Sequence, residues 1–285
     1  MRVTGAHHLP AVGAGLAFAI TARRGRTPNL AAMEIGAHVP TGTPLDEAAS
    51  RDADIVQVFL SNPQQWKAPK EREDAAALAA SDVGIYVHAP YLINVVSPNN
   101  RVRIPSRKSL QQTCDAAASV GARGVVVHGG HLTDAEESLE VGFERWRKAL
   151  ESIDSDVPVL IENTAGGDRA MARRFDVLAM LWDEIGDLSP GFCLDTCHAW
   201  AGGEPLDEVV ERTVAITGAI DLIHFNDSRD AFDSRRDRHA NLGDGEIPEE
   251  DLVGVLTSTD APIVVETPGG AEEQAADIAW LRSHL

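Results

Sequence analysis

Nine residues of this chain have the types and spacings that bind divalent metal ions: His88, His128, Glu162, Asp195, His198, His224, Asp237, His239 and Glu266. Six of them end short apolar runs. Ile85–Val87 stops on His88, Val125–Val127 on His128 and Val159–Ile161 on Glu162. Phe192–Leu194 stops on Asp195, Leu222–Ile223 on His224 and Ile263–Val265 on Glu266. The other three sit in loops, His198 three residues after Asp195, and Asp237 and His239 on either side of Arg238. Imidazole and carboxylate together suit zinc or manganese better than calcium or magnesium. Nine donors exceed what one ion can use, so two or three ions sharing carboxylates are expected. A lone histidine at a strand end is more often a hydrogen-bonded core residue, and a lone acid there can cap the next helix. Six such residues at equivalent positions make coincidence a poor account. Metal ions clustered about 3.5–4 Å apart suit phosphodiester hydrolysis. They neutralise the phosphate, stabilise the attacking and leaving oxygens, and lower the pKa of water.

Elements must bring these donors together. Continuous β-branched runs read as strands buried on both faces, as in parallel sheets. Strands are read at 33–38, 55–60, 84–88, 124–128, 158–162, 191–195, 220–225 and 262–266, with helices between them. Eight such units predict a (β/α)₈ TIM barrel, whose active site lies at the C-terminal ends of the strands. The long loops 89–105 and 226–248 leave that same end, where long loops usually carry function. Asp134 and Glu137 read as a capping box for a helix over 135–152. Gly121 reads as the close of a helix that begins near Ser106. His38 ends the first strand and is read as lying behind the metal ligands or facing substrate. His7, His8 and His284 look incidental.

Length and composition bound the answer. The 285 residues, 44% of them hydrophobic, fit one barrel domain over 33–285. Residues 1–32 read as a flexible N-terminal extension or a mis-assigned start, with Met33 opening the first strand. Their arginines follow the apolar stretch, whereas a secretory signal carries its charge before it. No apolar run reaches the roughly 18 residues needed to span a bilayer, so no membrane partner is expected. Cys114, Cys193 and Cys197 cannot form a full disulfide framework and read as small near-site or core residues in a reducing, cytoplasmic setting. A formal charge of −19 argues, taken alone, against nucleic acid. Bound divalent ions would reverse the local sign.

Several segments resemble the endonuclease IV family of apurinic/apyrimidinic (AP) endonucleases. They are Ile35–His38, FLSNPQQW at 59–66, HAPYLINVVS at 88–97, ENTAG at 162–166, CLDTCHA at 193–199, HFNDS at 224–228, SRRDRHANLGDG at 234–245 and Glu266-Thr267-Pro268. ENTAG, DTCHA and DRH-x₃-G-x-G together are highly specific. The resemblance implies a TIM barrel with three zinc ions, manganese being possible at one site. It implies that His88 and His128 hold the first ion, with Glu162 bridging to the second. Asp195, His224 and Glu266 would complete the second, and His198, Asp237 and His239 would hold the third. It further implies cleavage 5′ to abasic sites in double-stranded DNA, leaving a 3′-hydroxyl, and trimming of blocked 3′ ends. Glu162 becomes the catalytic carboxylate, near the attacking hydroxide.

Family members flip the lesion out of the duplex, which costs less where a base is missing. Tyr91 and Leu92 match two residues that fill the gap, and Gln64, Arg236 and Arg238 fall where DNA contacts are expected. Gln64 stands where the family pattern often has arginine, and Gly167-Asp168 follow ENTAG in place of glutamine-glycine. Basic residues gather after the third strand (Arg101, Arg103, Arg107, Lys108) and after the seventh (Arg229, Arg235, Arg236, Arg238). A monomer is expected, because the active face must accommodate a duplex. Two competing readings stay open: a metal-dependent sugar isomerase or epimerase on a similar barrel, and a lesion-binding protein without activity. The isomerase chemistry has no need for His88, His128, His198, Asp237 and His239 together. An intact ligand set argues against the second.

Overall fold

The computed structural model describes residues 29, 30 and 33–285. The expected extension over 1–32 therefore lies, save for two residues, outside the described residues. The described residues form ten strands: β1 (Ile35–His38), β2 (Ile55–Val58), β3 (Gly84–His88), β4 (Gly124–His128), β5 (Val159–Glu162), β6 (Gly191–Asp195), β7 (Leu222–His224), β8 (Asp227–Ser228), β9 (His239–Ala240) and β10 (Ile263–Val265). Eight of them close a barrel in the order β1-β10-β7-β6-β5-β4-β3-β2. Every neighbouring pair in it is parallel, as the buried apolar runs require. β8 and β9 pair antiparallel as a small ribbon within the long loop after β7.

Side chains alternate between the barrel interior and the helix layer. Ile55, Tyr86, Val126, Leu160, Cys193, Leu222 and Val264 meet as one buried apolar cluster inside the barrel. Two residues further along each strand, at its C-terminal end, the same inward face presents Gln57, His88, His128, Glu162, Asp195, His224 and Glu266. The period-2 rule thus converts a buried apolar layer into a polar layer directly above it. The outer layer packs by helical periodicity. The helix Leu139–Leu150 buries Gly142, Phe143, Trp146 and Ala149, and Trp146 donates to the Gly129 carbonyl at 2.7 Å, tying the helix to the loop after β4. The helix Phe175–Ile185 buries Phe175, Leu178, Leu181, Trp182 and Ile185. Each buried Leu, Ile or Phe among them contributes about 1.5–3 kcal/mol when fully removed from water.

Two local expectations are corrected. The helix before β5 begins at Leu139, with Ser138 as its N-cap, not at 135. Glu137 makes no capping box, because both its carboxylate oxygens accept from the Arg145 guanidinium at 2.6 Å. A bidentate charged pair outcompetes a single backbone bond. The helix before β4 spans Asn100–Ser119, starting six residues ahead of Ser106, with the Asn99 side chain accepting from Arg101 N at 2.9 Å. The loop after β3 is correspondingly shorter. Gly121, with φ +66°, follows its end as expected. Among the described residues, no helix is long and apolar enough to cross a membrane.

Candidate metal centre

Three donor groups converge at the mouth of the barrel. His88, His128 and Glu162 form one, Glu162, Asp195, His224 and Glu266 a second, and Asp195, His198 and His239 a third. Within each group one ligand atom per residue lies within 4.8 Å of the others. Glu162 belongs to two of them and so does Asp195, which is the geometry of carboxylates shared between ions. Asp237, expected beside His198 and His239, places its Oδ1 3.2 Å from Nε2 of both. All nine sequence-derived candidates are therefore in one cluster.

The environment prepares these side chains as ligands. The Nδ1–H of His88 donates to the Ala89 carbonyl at 2.7 Å, that of His198 to the Asn163 carbonyl at 2.9 Å, and that of His239 to the Glu266 carbonyl at 3.1 Å. Each bond fixes the tautomer and leaves Nε2 facing the cluster, as metal-binding histidines require. Asp195 N-caps the helix Thr196–Gly202 by accepting from His198 N at 2.6 Å, which brings His198 to the site. Asn226 donates to Asp195 Oδ2 at 2.8 Å and accepts from Glu266 N at 2.8 Å, joining two ligands. Asn163 bonds both backbone groups of Asp195, at 2.7 and 2.9 Å. Neither asparagine was singled out from sequence, although both lie inside the quoted motifs ENTAG and HFNDS. Asp227 accepts from the N–H groups of Ser228, Gly243, Gly245 and Ile247 and so ties down the loop after β9. Gly243 adopts φ +84°, and a Cβ on Gly245 would lie 2.2 Å from Asp227 Oδ1, so the G-x-G spacing follows from this knot.

The electrostatics fit cations. Burial alone would raise the Glu162 pKa, but His224, His128 and His198 hold it well below the usual carboxylate range. Burial is likewise overcome at Asp237 by His198 and His239, and at Glu266 by His224 and His38. Burial wins at Asp195, whose pKa is raised, and at His88, whose pKa is lowered. His198 and His224 are held well above the histidine range despite burial, by Asp195 and Asp237 in the first case and, with the Cys193 thiol neutral near pH 7, by the Glu266 and Glu162 carboxylates in the second. His239 is pushed up to about 9 against burial by Asp237 and Asp195. Buried carboxylates here draw protons onto neighbouring imidazoles, a role that divalent cations fill better. Among the described residues, the buried side-chain atoms without a hydrogen-bond partner include Glu162 Oε2, His198 Nε2 and His239 Nε2. These are ligand atoms aimed at a common space, so the residues fit bound metal. Cys193 and Cys197 are buried, and burial pushes both thiols up to about 12, so they do not supply thiolate ligands near neutral pH.

The remaining candidates surround this centre. His38 Nδ1 lies 2.9 Å from Glu266 Oε1. A cavity of about 510 Å³ over the centre is lined by His38, Phe59, Tyr91, Arg229, Arg238 and six of the nine ligands, Glu162, Asp195 and His224 lying beneath it. A second, of about 670 Å³, adjoins it across Tyr91 and His128 and is lined by Trp66 and Leu92. Tyr91 is half exposed (52%) and its ring packs against Phe59, His88 and His128. Gln64 is exposed on the loop after β2 and touches neither cavity. Arg238 and Arg236 both pair with the Asp230 carboxylate, and Arg235 pairs with Asp168 at 2.6 Å. Arg229 is exposed and makes no side-chain ion pair among the described residues. Of the other basic group, Arg103 turns to the Ser97 carbonyl and Arg107 to the Arg145 carbonyl, leaving Arg101 and Lys108 exposed.

Comparison with known proteins agrees with this geometry. The family described as the xylose isomerase-like TIM barrel matches residues 45–284. The probable endonuclease 4 of Mycobacterium marinum is 61% identical over 253 residues, which cover 89% of this chain and 99% of that protein. The crystal structure of endonuclease IV from Thermus thermophilus superposes with a TM-score of 0.75 at 30% identity, covering 88% of this chain and 98% of that one. A D-tagatose 3-epimerase-like protein superposes with a TM-score of 0.72 at 19% identity, covering 88% and 97%, a likeness of fold alone.

Proposed function

The chain belongs to the endonuclease IV family, and from that premise we propose that it cuts DNA 5′ to abasic sites, leaving a 3′-hydroxyl, with a cluster of three zinc ions. It is an AP endonuclease, a phosphodiester hydrolase. The observation that carries the finer reading is the donor set: four carboxylates and five imidazoles at one barrel mouth, with buried ligand atoms left unpartnered. His88, His128 and Glu162 would hold one ion, Glu162, Asp195, His224 and Glu266 a second, and His198, Asp237 and His239 a third. Manganese at one of them suits the same donors. When bound, such ions supply Lewis-acid stabilisation of the phosphate oxygens and lower the pKa of water toward neutrality.

The protein's own part is positioning. Backbone carbonyls orient His88, His198 and His239, while Asn163 and Asn226 fix Asp195. Arg229 and Arg238 line the cavity and would meet phosphates, and Asp230 orients Arg238. Arg236, which shares Asp230, and Gln64 belong to the same DNA face. Burial pushes the Tyr91 phenol up to about 12, so it stays neutral and offers a ring and a donor rather than a base. Trimming of blocked 3′ ends is the same hydrolysis at a chain end. A sugar isomerase would leave five of the nine donors idle. Three buried free cysteines suit the cytoplasm, and a barrel mouth that must admit a duplex suits a monomer.

Tyr91 and Leu92 test the DNA reading. An aromatic ring beside a half-buried leucine at the mouth can fill the gap left by a flipped nucleotide, offsetting a few kcal/mol of unstacking. Tyr91→Ala with Leu92→Ala is expected to slow incision of an abasic duplex by about tenfold or more. Hydrolysis of a small phosphodiester, which needs no flipping, is expected to change little. Because Tyr91 also touches His88 and His128, metal content is measured alongside. Equal losses on both substrates would show that the pair supports the centre structurally. Failure of the unaltered protein to cut the abasic duplex would overturn the proposed function.

A further inference from the structure

Gln57 is buried at the inward face of β2, level with the metal donors, and belongs to none of their groups. Its amide spans two ligands. Nε2 donates to Glu266 Oε1 at 2.8 Å, and Oε1 lies 2.9 Å from His224 Nε2. The amide has only one chemically consistent orientation. A carboxylate can only accept, so the nitrogen must face Glu266 and the oxygen must face His224. The imidazole nitrogen facing that oxygen must then carry a proton. This leaves His224 Nδ1 directed at the centre, 3.0 Å from Glu162 Oε1 and 3.2 Å from Glu266 Oε2. His224 is thus turned the opposite way to His88, His198 and His239, which offer Nε2 and spend Nδ1 on backbone carbonyls. Among the described residues no backbone carbonyl serves His224 Nε2, and a side chain from another strand takes that part. The same amide, together with His38 Nδ1 at 2.9 Å, occupies Glu266 Oε1 and leaves Oε2 for an ion.

We propose that Gln57 is a positioning residue of the second metal subsite, selecting the Nδ1-ligating form of His224 and the free oxygen of Glu266 with one amide group. This rests on the metal reading above. Groups behind metal ligands typically affect affinity by about 10–100-fold.

The test uses the full chain loaded with Zn²⁺, as the unaltered protein and as Gln57→Leu and Gln57→Glu. Ions per chain come from elemental analysis, affinities from chelator competition, and the protonated nitrogen of His224 from long-range ¹H–¹⁵N correlation. The unaltered protein is expected to carry the His224 proton on Nε2. Gln57→Leu is expected to weaken the affinity of one ion by about 10–100-fold and leave the others unchanged. Gln57→Glu keeps an acceptor for His224 but not a donor for Glu266. It should retain the Nε2–H signature while still losing affinity, a split that mere loss of packing would not produce. Should Gln57→Leu fail to fold, Gln57→Glu carries the test alone. A His224 proton on Nδ1 in the loaded protein, or unaltered affinity in the variants, would overturn the role of Gln57 only. An unaltered protein that binds no ion would overturn the metal reading itself.

Discussion

Glu162→Gln is expected to lower the rate of abasic-site incision by about 10³-fold or more, equivalent to about 4 kcal/mol of barrier. Glu162 is fully buried at the end of β5, and among the described residues its ion-pair partners are imidazoles, with the Asp195 and Glu266 carboxylates close by. Oε2 lies 3.3 Å from Nε2 of both His88 and His128, and Oε1 lies 3.0 Å from His224 Nδ1. One carboxylate therefore faces two donor groups at once. The glutamine amide preserves shape but replaces a shared anionic oxygen with an NH₂ that can neither ligate nor accept. The loss should appear in kcat, because binding of the DNA backbone is untouched, and circular dichroism should show an unchanged fold. Near-normal turnover by this variant would remove Glu162 from the mechanism.

Replacing Asp237 and His239 together by alanine is expected to take roughly three bound ions to roughly two and to slow incision by about 10²-fold or more. These side chains stand on the loop and ribbon after β7, outside the barrel core, and the Asp237 carboxyl is half exposed. The fold should therefore survive, with the melting temperature of metal-free protein nearly unchanged. In the unaltered protein the affinity of this subsite should also depend on pH. Asp237 and Asp195 push the His239 pKa up to about 9 against burial, so below that pH an incoming ion must displace its proton. Affinity should weaken as pH falls, because His198, also held well above the histidine range by Asp195 and Asp237, must likewise give up a proton to ligate. Chelator competition across pH measures this directly. A variant that keeps the full ion count would place the third ion elsewhere.

The ligands were legible in the sequence because strand burial and metal chemistry mark the same places. An apolar β-branched run that stops on His, Asp or Glu at equivalent points is visible without coordinates, and the barrel follows from the repetition. His198 and His239 were found by their spacing from Asp195 and Arg238. Gln57 was missed because an amide in mid-strand carries no metal-binding signal; only the closed barrel places it between His224 and Glu266. The start of the helix Asn100–Ser119 was obscured by Pro105, which reads as a breaker. A long helix capped by Asn99 absorbs the loss of one backbone bond. The capping box failed for a tertiary reason, since Arg145, eight residues on, claims the Glu137 carboxylate. The basic residues were visible, but not their partners. Asp230 and Asp168 pair with three of the four arginines after β7, leaving Arg229 at the cavity without an ion pair among the described residues.

The most direct test is a single pair of assays on protein purified without chelator. A labelled duplex with one abasic site, and a panel of common ketoses, are each incubated with the metal-loaded protein and with protein stripped by chelator. The account predicts one incision 5′ to the abasic site with a 3′-hydroxyl product, lost on stripping, restored by Zn²⁺, and no conversion of the sugars. An intact duplex with an isomerised ketose, or incision that persists after complete metal removal, would contradict it.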